Sequence, residues 1–283
     1  MTEQSRKARF AETIQRLLAK VPAFVRLAAK IRNQAVCVLQ YRLAESGQVS
    51  GNLEIELIRL VAPKATSFVD IGGNVGVWTA AFRKCMNRCD WGLCVEPISE
   101  LALGLRDRFS ELPEIEVLEA LAGADDGTTV VFRENENSVL SSIVGGHGGE
   151  WVRSVEKPMI SLDAELMRRG KSSVDVVKID AEGFDFFVLR GMDGLLRSGN
   201  VGIVQFEYGP MWARAGSTIS ATIDYLEQRG MKVFVLSPYG IETFDLELFG
   251  EIFRYAVFIG VSPGWSQVLL PLMKTGARQV SES

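Results

Sequence analysis

The chain has 283 residues, 47% of them hydrophobic and 23% charged, with a net charge of −4. This composition is typical of a globular protein with a sizeable core, and the length suits one large α/β domain with or without an appendage. The negative charge argues against nucleic-acid binding, because neutralising phosphates needs a basic surface. The sequence has no run of roughly 18 apolar residues, so we expect no membrane span. The polar first residues lack the apolar core of a secretory signal, which predicts a cytoplasmic protein.

The N-terminal region differs from the rest of the chain in charge. Residues 1–32 hold eight basic and two acidic side chains, a net charge of +6, which leaves −10 for the remainder. Apolar residues recur at helical spacing in two stretches separated by Pro22. We predict a helical extension, residues 1–50, that packs on the main domain with its basic face in water. A homodimer interface and peripheral docking on an anionic membrane are the alternatives.

From about residue 66 the chain alternates apolar strand-like runs with amphipathic helical segments. This alternation predicts a mostly parallel sheet with helices on both faces. Ser217 is the predicted N-cap of one helix, because a serine hydroxyl accepts a hydrogen bond from the first turn. We place this domain at residues 51–265 and a C-terminal tail at 266–283. The predicted strands are Ser67–Ile71, Trp91–Val95, Ile115–Leu121, Val174–Ile179, Val201–Glu207, Lys232–Leu236 and Arg254–Ile259.

A long segment interrupts this alternation between the third and fourth strands. Thr128–Arg133 and Lys157–Ser161 are predicted as short strands that flank "ENENSVLSSIVGGHGGEW". Glycines surround His147 on both sides, a composition unsuited to a packed helix, so we predict a lid or binding loop. His147 is a candidate general base, because an imidazole with a pKa of about 6.5 titrates near neutral pH. The alternative is a solvated loop residue.

A glycine-rich turn, "FVDIGGNVGVWT" at residues 68–79, joins the first predicted strand to a helix. Such turns hold nucleotide-like ligands, but this one has neither the dinucleotide spacing G-x-G-x-x-G nor the Gly-Lys-Ser/Thr of a phosphate-binding loop. Asp70 precedes the glycines, and a carboxylate repels phosphate but suits a cation, such as the amino group or sulfonium of S-adenosylmethionine. Gly72, Gly73 and Gly76 are expected to let the backbone approach that ligand closely.

A second carboxylate, Glu96, ends the next predicted strand. A carboxylate at this place accepts two hydrogen bonds from a ribose diol, as it does in dinucleotide-binding folds. The alternative is a solvated strand end. With Asp70 and the glycine turn, Glu96 favours S-adenosylmethionine as the ligand. The failed dinucleotide fingerprint makes a nicotinamide-dependent oxidoreductase the less favoured function.

Four stretches of the sequence resemble the FkbM-type methyltransferases. They are the glycine turn, "CVEP" at 94–97, "NSVLSS" at 137–142 and "VVKIDAEGFDFFVLRG" at 176–191. The most specific part is "KIDAEG" at 178–183, and the matches cover roughly residues 66–210. The resemblance implies a class I, Rossmann-like methyltransferase with a seven-stranded sheet whose last strand is antiparallel. It also implies S-adenosylmethionine-dependent O-methylation of a hydroxyl on a sugar, polyketide or similar metabolite.

The catalytic candidates follow from where ligands bind in open α/β sheets, which is outside the carboxyl ends of the strands. Asp180 and Glu182 follow the fourth strand and Glu207 ends the fifth, so these residues and His147 are the candidate general bases. Capping of the next helix is the alternative for Asp180 and Glu182. Lys178 is expected to pair with a carboxylate. We expect no metal, because no adjacent Asp-Asp pair follows the fifth strand, although these carboxylates are suitable ligands for a divalent ion.

The cofactor residues complete the predicted site. Ala120 and Leu121, at the end of the third strand, are expected to lie against the adenine ring. Two aromatic segments, "GPMW" at 209–212 and "SPYG" at 237–240, are candidate surfaces for a small-molecule or glycan acceptor, with core packing as the alternative. A catalytically inactive, methyltransferase-like binding module is the competing function, and the intact 178–183 element argues against it. The predicted cofactor-binding residues are Asp70, Gly72, Gly73, Asn74, Gly76, Glu96, Ala120, Leu121 and Asp180.

Overall fold

A computed structural model describes residues 3–43, 51–135, 151–251 and 253–273. The chain divides into two compact units, Met1–Arg42 and Leu43–Ser283. The predicted loop around His147 lies outside the described residues. Among the helices of the described ranges, none has both the length and the apolarity needed to cross a lipid bilayer.

The first unit is helical. Its helices are α1 (Glu3–Leu18) and α2 (Pro22–Leu43). Pro22 begins α2 because its fixed φ suits the first turn of a helix, where a missing N–H costs nothing. Large apolar side chains of both helices are exposed, among them Phe10 and Ile31.

The second unit is an α/β structure built around a large sheet. Its helices are α3 (Gly51–Val61), α4 (Val77–Cys85), α5 (Ser99–Arg108), α6 (Leu162–Arg168), α7 (Asp185–Arg190), α8 (Asp193–Arg197), α9 (Met211–Ala215), α10 (Ile219–Glu227) and α11 (Leu246–Phe249). Its strands are β1 (Ser67–Ile71), β2 (Trp91–Val95), β3 (Ile115–Leu118), β4 (Leu121–Ala122), β5 (Thr129–Asn135), β6 (Trp151–Ile160), β7 (Val174–Ile179), β8 (Val201–Tyr208), β9 (Lys232–Ser237), β10 (Gly240–Thr243) and β11 (Ala256–Val261). The described part of this unit also has two 3₁₀ turns, Ala62–Lys64 and Pro263–Leu269, and the predicted C-terminal tail begins within the second of them.

The main sheet has the strand order β10-β9-β11-β8-β7-β1-β2-β3. Neighbours from β3 to β8 pair in parallel, whereas β11 runs antiparallel to both β8 and β9. The mostly parallel sheet with an antiparallel last strand is therefore confirmed. The predicted number of seven strands is wrong, because β10 folds back on β9 as a hairpin and adds an eighth. Four residues are too few to show the alternation by which a strand is recognised in a sequence.

A smaller, three-stranded sheet has the order β4-β6-β5, and its strands come between β3 and β7 in the sequence. The antiparallel pair β5 and β6 forms where the short flanking strands were predicted, but both strands are longer than expected. The predicted strand Ile115–Leu121 instead divides in two. Its first part, β3, pairs with β2, and Leu121 continues into β4, which pairs with Met159 and Ile160 of β6.

The core lies on both faces of the main sheet, and strand alternation decides which helices a side chain meets. On β1, Phe68 belongs to a cluster with Phe82 of α4. The next residue, Val69, belongs to a second cluster with Val188 of α7 and Leu226 of α10. Helices therefore cover both faces of the sheet, as predicted.

Candidate active site

A cavity of about 660 Å³, partly open to solvent, lies at the carboxyl ends of β1, β2 and β7. Open α/β sheets bind their ligands at this edge of the sheet. Six of the nine predicted cofactor residues line the cavity, and so does the predicted catalytic residue Glu182. The six are Gly72, Asn74, Glu96, Ala120, Leu121 and Asp180.

One side of the cavity is apolar. Ile98, Leu121 and Phe132 are buried together in a small cluster, with Leu101 and Phe184 packed against it. All five line the cavity, and they suit a flat, weakly polar ring. Sequence reasoning missed the two phenylalanines because each fitted the ordinary pattern of its own strand or helix face.

Glu96 lies at the end of β2 and is 3% exposed, so the solvated strand end considered as an alternative is wrong. Its two carboxylate oxygens accept hydrogen bonds from the backbone N–H groups of Asn74, at 2.8 Å, and Ile98, at 2.9 Å. Burial raises the pKa of Glu96, and these two N–H groups lower it in part. Because each carboxylate oxygen has a further lone pair, Glu96 is able to accept hydrogen bonds from a ligand as well.

The glycines of the turn allow close contact between the backbone and its surroundings, but the atoms that they contact belong mainly to neighbouring parts of the protein. Gly72, with φ +76°, lies so near β7 that a Cβ would overlap the carbonyl oxygen of Asp180. A Cβ at Gly73 would overlap the thiol of Cys94. Gly76 lies under α5 in the same way, and neither Gly73 nor Gly76 lines the cavity. Helix and strand packing occupies the space that each of these two glycines leaves, and their contact with a ligand stays a prediction.

Asp70, predicted to contact a cationic ligand directly, is fully buried and does not line the cavity. Alternation along β1 places its side chain on the same face as Phe68, towards α4. There one oxygen accepts a hydrogen bond of 2.5 Å from the hydroxyl of Thr79. The other oxygen makes no hydrogen bond but lies 3.6 Å from the ammonium of Lys178.

Lys178 lies next to Asp70 in the parallel register of β7 and β1, which explains their pairing. Its ammonium is also 3.2 Å from Asp180 and 3.5 Å from the carbonyl oxygen of Gly72. Burial alone would lower the pKa of Lys178, but the carboxylates of Asp180, Asp70 and Glu54 raise it above its usual value. The predicted pairing with a carboxylate is confirmed. Lys178 holds the glycine turn and the end of β7 together.

Four carboxylates lie at the carboxyl ends of β7 and β8. Burial, followed by the charges of Asp180 and Asp185, raises the pKa of Glu182 to about 8. Burial and the charge of Asp180 raise the pKa of Asp185 to about 7. Burial and the other three carboxylates raise the pKa of Glu207 well above its usual value. At neutral pH this cluster therefore holds protons that separate carboxylic acids would have lost.

Asp185 is the member of this cluster that sequence reasoning missed. It is fully buried in the first turn of α7 and accepts hydrogen bonds from the backbone N–H groups of Gly183, at 3.2 Å, and Glu207, at 3.4 Å. No side chain among the described residues caps α7, so the capping role considered for Asp180 and Glu182 is wrong, and Asp185 instead ties the turn before α7 to the end of β8. An acidic residue in the first turn of a helix was the available signal.

We expect the free energy of unfolding to decrease as the pH rises from about 4 to about 7. Asp185 ionises near pH 7 when folded but near 3.9 in an unfolded chain. The folded state therefore binds more protons in this window, and linkage makes stability fall with rising pH. Urea unfolding of the native protein and Asp185→Asn at several pH values tests this. The variant should lose part of the slope, and equal slopes would contradict the assignment.

A second, much smaller cavity lies next to the first, and the two share one lining side chain. Glu182 lines both cavities, and Glu207, Trp212 and Tyr255 line the second. The "GPMW" segment predicted as an acceptor surface lies in this wall. Burial and the charges of Glu182 and Glu207 raise the pKa of Tyr255, so its hydroxyl remains protonated and able to donate.

Within the described residues, no three His, Cys, Asp or Glu side chains are placed so that they could hold a metal ion together. Four cysteines are free thiols, and Cys94 is buried beside Asp70 and Thr79.

Of the catalytic candidates, Asp180, Glu182 and Glu207 lie at the two cavities, while His147 lies outside the described residues.

A mostly parallel sheet with an antiparallel last strand, and a cavity at the carboxyl ends of the parallel strands, define a Rossmann-like α/β fold with a cavity where such folds bind their ligands. The family model described as the methyltransferase FkbM domain matches residues 70–233, which is more than half of the chain. The chain therefore belongs to the FkbM methyltransferase family. No protein of curated function matches the sequence.

Several solved structures are similar in fold. A methyltransferase FkbM from Methylobacillus flagellatus is 13% identical, with a TM-score of 0.43 over 82% of this chain and 60% of that one. An O-methyltransferase from Bacillus cereus in complex with SAH is 10% identical, with a TM-score of 0.39 over 81% and 88% of the two chains. A spermidine synthase from Thermotoga maritima is 11% identical, with a TM-score of 0.43 over 82% and 67%. The chain spans 60% of the length of the Methylobacillus structure.

Proposed function

We propose that the protein methylates a hydroxyl group of a small molecule or sugar with S-adenosylmethionine as the methyl donor. Membership of the FkbM family supports methyl transfer. The observation that carries the choice of cofactor is the composition of the larger cavity. It combines an apolar wall, a buried carboxylate and an acidic end, and none of the described residues that line it is a lysine or arginine. Such a site repels phosphate and attracts a ligand with positive charge.

The residues of this cavity fit the parts of S-adenosylmethionine. The adenine ring would lie in the apolar wall, between Leu121 and Phe132, and the ribose hydroxyls would donate to Glu96. Asp180 and Glu182 would face the positively charged end of the ligand. When bound, this cofactor supplies a methyl group already activated by its sulfonium.

The task left to the protein is to orient an acceptor and remove its hydroxyl proton. Glu182 is suited to this task because it lies in the wall between the two cavities and has a pKa of about 8. A base with a pKa near the working pH transfers protons most effectively. Glu207 and Tyr255 line the small second cavity beside Glu182, where they are placed to accept from and donate to a single hydroxyl group of an acceptor.

We expect Glu96→Ala to weaken binding of S-adenosylhomocysteine by about 1–3 kcal/mol, because the variant loses two charge-assisted hydrogen bonds to the ribose. Isothermal titration measures the dissociation constant. Glu100→Ala is the matched control, since Glu100 lies at the start of the nearby helix α5 but does not line the cavity. An unchanged constant in folded Glu96→Ala would refute the assignment.

Two further measurements separate the competing functions. Titration with NAD tests the oxidoreductase alternative: a nicotinamide-dependent oxidoreductase would bind NAD, and we expect no binding. Turnover of S-adenosylmethionine with a panel of hydroxylated sugars and aromatic alcohols tests the inactive binding module. Cofactor binding without methylation of any acceptor would favour that module over the proposed enzyme.

A further inference from the structure

The first unit, Met1–Arg42, carries an exposed apolar stripe. On α2, Phe24, Leu27, Ile31 and Val38 lie at spacings of three, four and seven residues, which places them along one side of the helix. Their exposed fractions are 48%, 52%, 61% and 69%. Scattered apolar residues are common on protein surfaces, but a continuous stripe marks a surface that meets a partner.

The preceding helix repeats the pattern. Phe10, Ile14 and Leu17 of α1 follow one another at spacings of four and three residues and are also exposed. Each helix thus presents an apolar side, which is the arrangement of an amphipathic helix.

Basic side chains greatly outnumber acidic ones in this unit. It holds nine basic and two acidic side chains, a net charge of +7. On α2, Arg26 and Lys30 are exposed; Arg26 lies away from the apolar stripe, and Lys30 lies along its edge, next to Leu27. Basic residues on the polar side and large apolar residues on the other are typical of helices that lie in the surface of an anionic membrane.

We propose that Met1–Arg42 docks on an anionic lipid surface, with the apolar stripe among the acyl chains and the basic side chains at the headgroups. Charge favours this partner over a second copy of the chain. Two copies joined along the stripe would bring two units of +7 together, whereas phosphatidylserine headgroups neutralise that charge. The proposal is independent of the reaction that the second unit catalyses.

Flotation of the full-length protein with lipid vesicles tests this proposal. We expect binding to phosphatidylcholine vesicles that contain roughly one third phosphatidylserine, little binding to phosphatidylcholine alone, and weaker binding at higher salt. The double variant Leu27→Glu/Ile31→Glu should lower the partition coefficient at least about tenfold, because it places charge in the stripe. Neutralising two basic residues with Arg26→Gln/Lys30→Gln should lower it roughly thirtyfold.

The matched control is Leu103→Glu/Met167→Glu, which adds the same charge at two exposed apolar positions of the second unit. It should bind as the native protein does. Circular dichroism checks that each variant keeps its helices, and the glutamine pair is mild enough to test the proposal if the glutamate pair unfolds. No binding to anionic vesicles, or equal binding by the native protein and both α2 variants, would overturn the proposal. So would a dimer, seen by light scattering, that Leu27→Glu/Ile31→Glu dissociates, since a second copy would then cover the stripe.

Discussion

Glu182→Gln is expected to lower kcat by about 10²–10⁴-fold, the usual contribution of a general base. Glutamine keeps the size and hydrogen-bonding capacity of the side chain but cannot take up a proton at neutral pH. In the native protein kcat/KM, measured at limiting S-adenosylmethionine, should rise as the pH passes about 8, where Glu182 of the free enzyme ionises. The residual activity of the variant should lack this step. Methyl transfer to an accepted hydroxyl, measured between pH 6 and 9, provides both readouts.

Glu207→Gln is the informative comparison. Glu207 lines only the second cavity, so its replacement should mainly raise the KM for the acceptor and leave the pH step in place. Titration with S-adenosylhomocysteine separates any loss of cofactor binding from loss of proton transfer. If kcat of Glu182→Gln stays within about twofold of the native value, Glu182 is not the base, and Asp180, Glu207 and His147 remain the candidates.

Gly72→Ala is expected to destabilise the second unit by about 2–5 kcal/mol, from a strained backbone and a steric overlap together. The residue has φ +76°, and the new methyl group would overlap the carbonyl oxygen of Asp180. To relieve the overlap, the ends of β1 and β7 must separate. Cofactor binding should weaken with stability, because both Gly72 and Asp180 line the larger cavity.

Two other glycines separate these effects. Gly127 has φ +74° but open space around it, so Gly127→Ala tests the backbone strain alone, about 1–2 kcal/mol. Gly104 lies in helix α5 with nothing near its missing Cβ, and Gly104→Ala should stabilise by about 0.5–1 kcal/mol. Urea unfolding at one pH compares all three. Equal losses in Gly72→Ala and Gly127→Ala would show that the overlap with Asp180 relaxes without cost.

The fold was predictable where long apolar strands alternate with helices, because periodicity over many residues outweighs local detail. Detail at single residues was less predictable. Thr218, not the predicted Ser217, caps α10 by accepting a hydrogen bond from the N–H of Ala221. Two neighbouring residues with similar side chains offer the same signal, and only the backbone angle at the start of the helix selects one of them.

The site was predictable in part for a similar reason. Glu96 and Asp180 line the cavity because parallel strands bring their carboxyl ends to one edge of the sheet. Asp70 is also at a strand end, but it is one residue before the end of β1, and alternation turns it towards α4. A carboxylate near a glycine turn therefore has two possible partners, a ligand or the protein interior. The register of Asp70 with Lys178 decides between them, and sequence spacing does not contain that register.

Glu182 lines both cavities, and it adopts a positive φ of 49° that is uncommon for a residue with a side chain. A titratable side chain that faces a ligand in each of two cavities couples the binding of the two ligands. If a donor in the larger cavity changes the affinity for an acceptor through the protonation of Glu182, the acceptor changes the affinity for the donor by the same factor. The affinity for the donor would therefore depend on whether the acceptor is bound, and the reverse, through one proton on Glu182 and without any movement of the backbone.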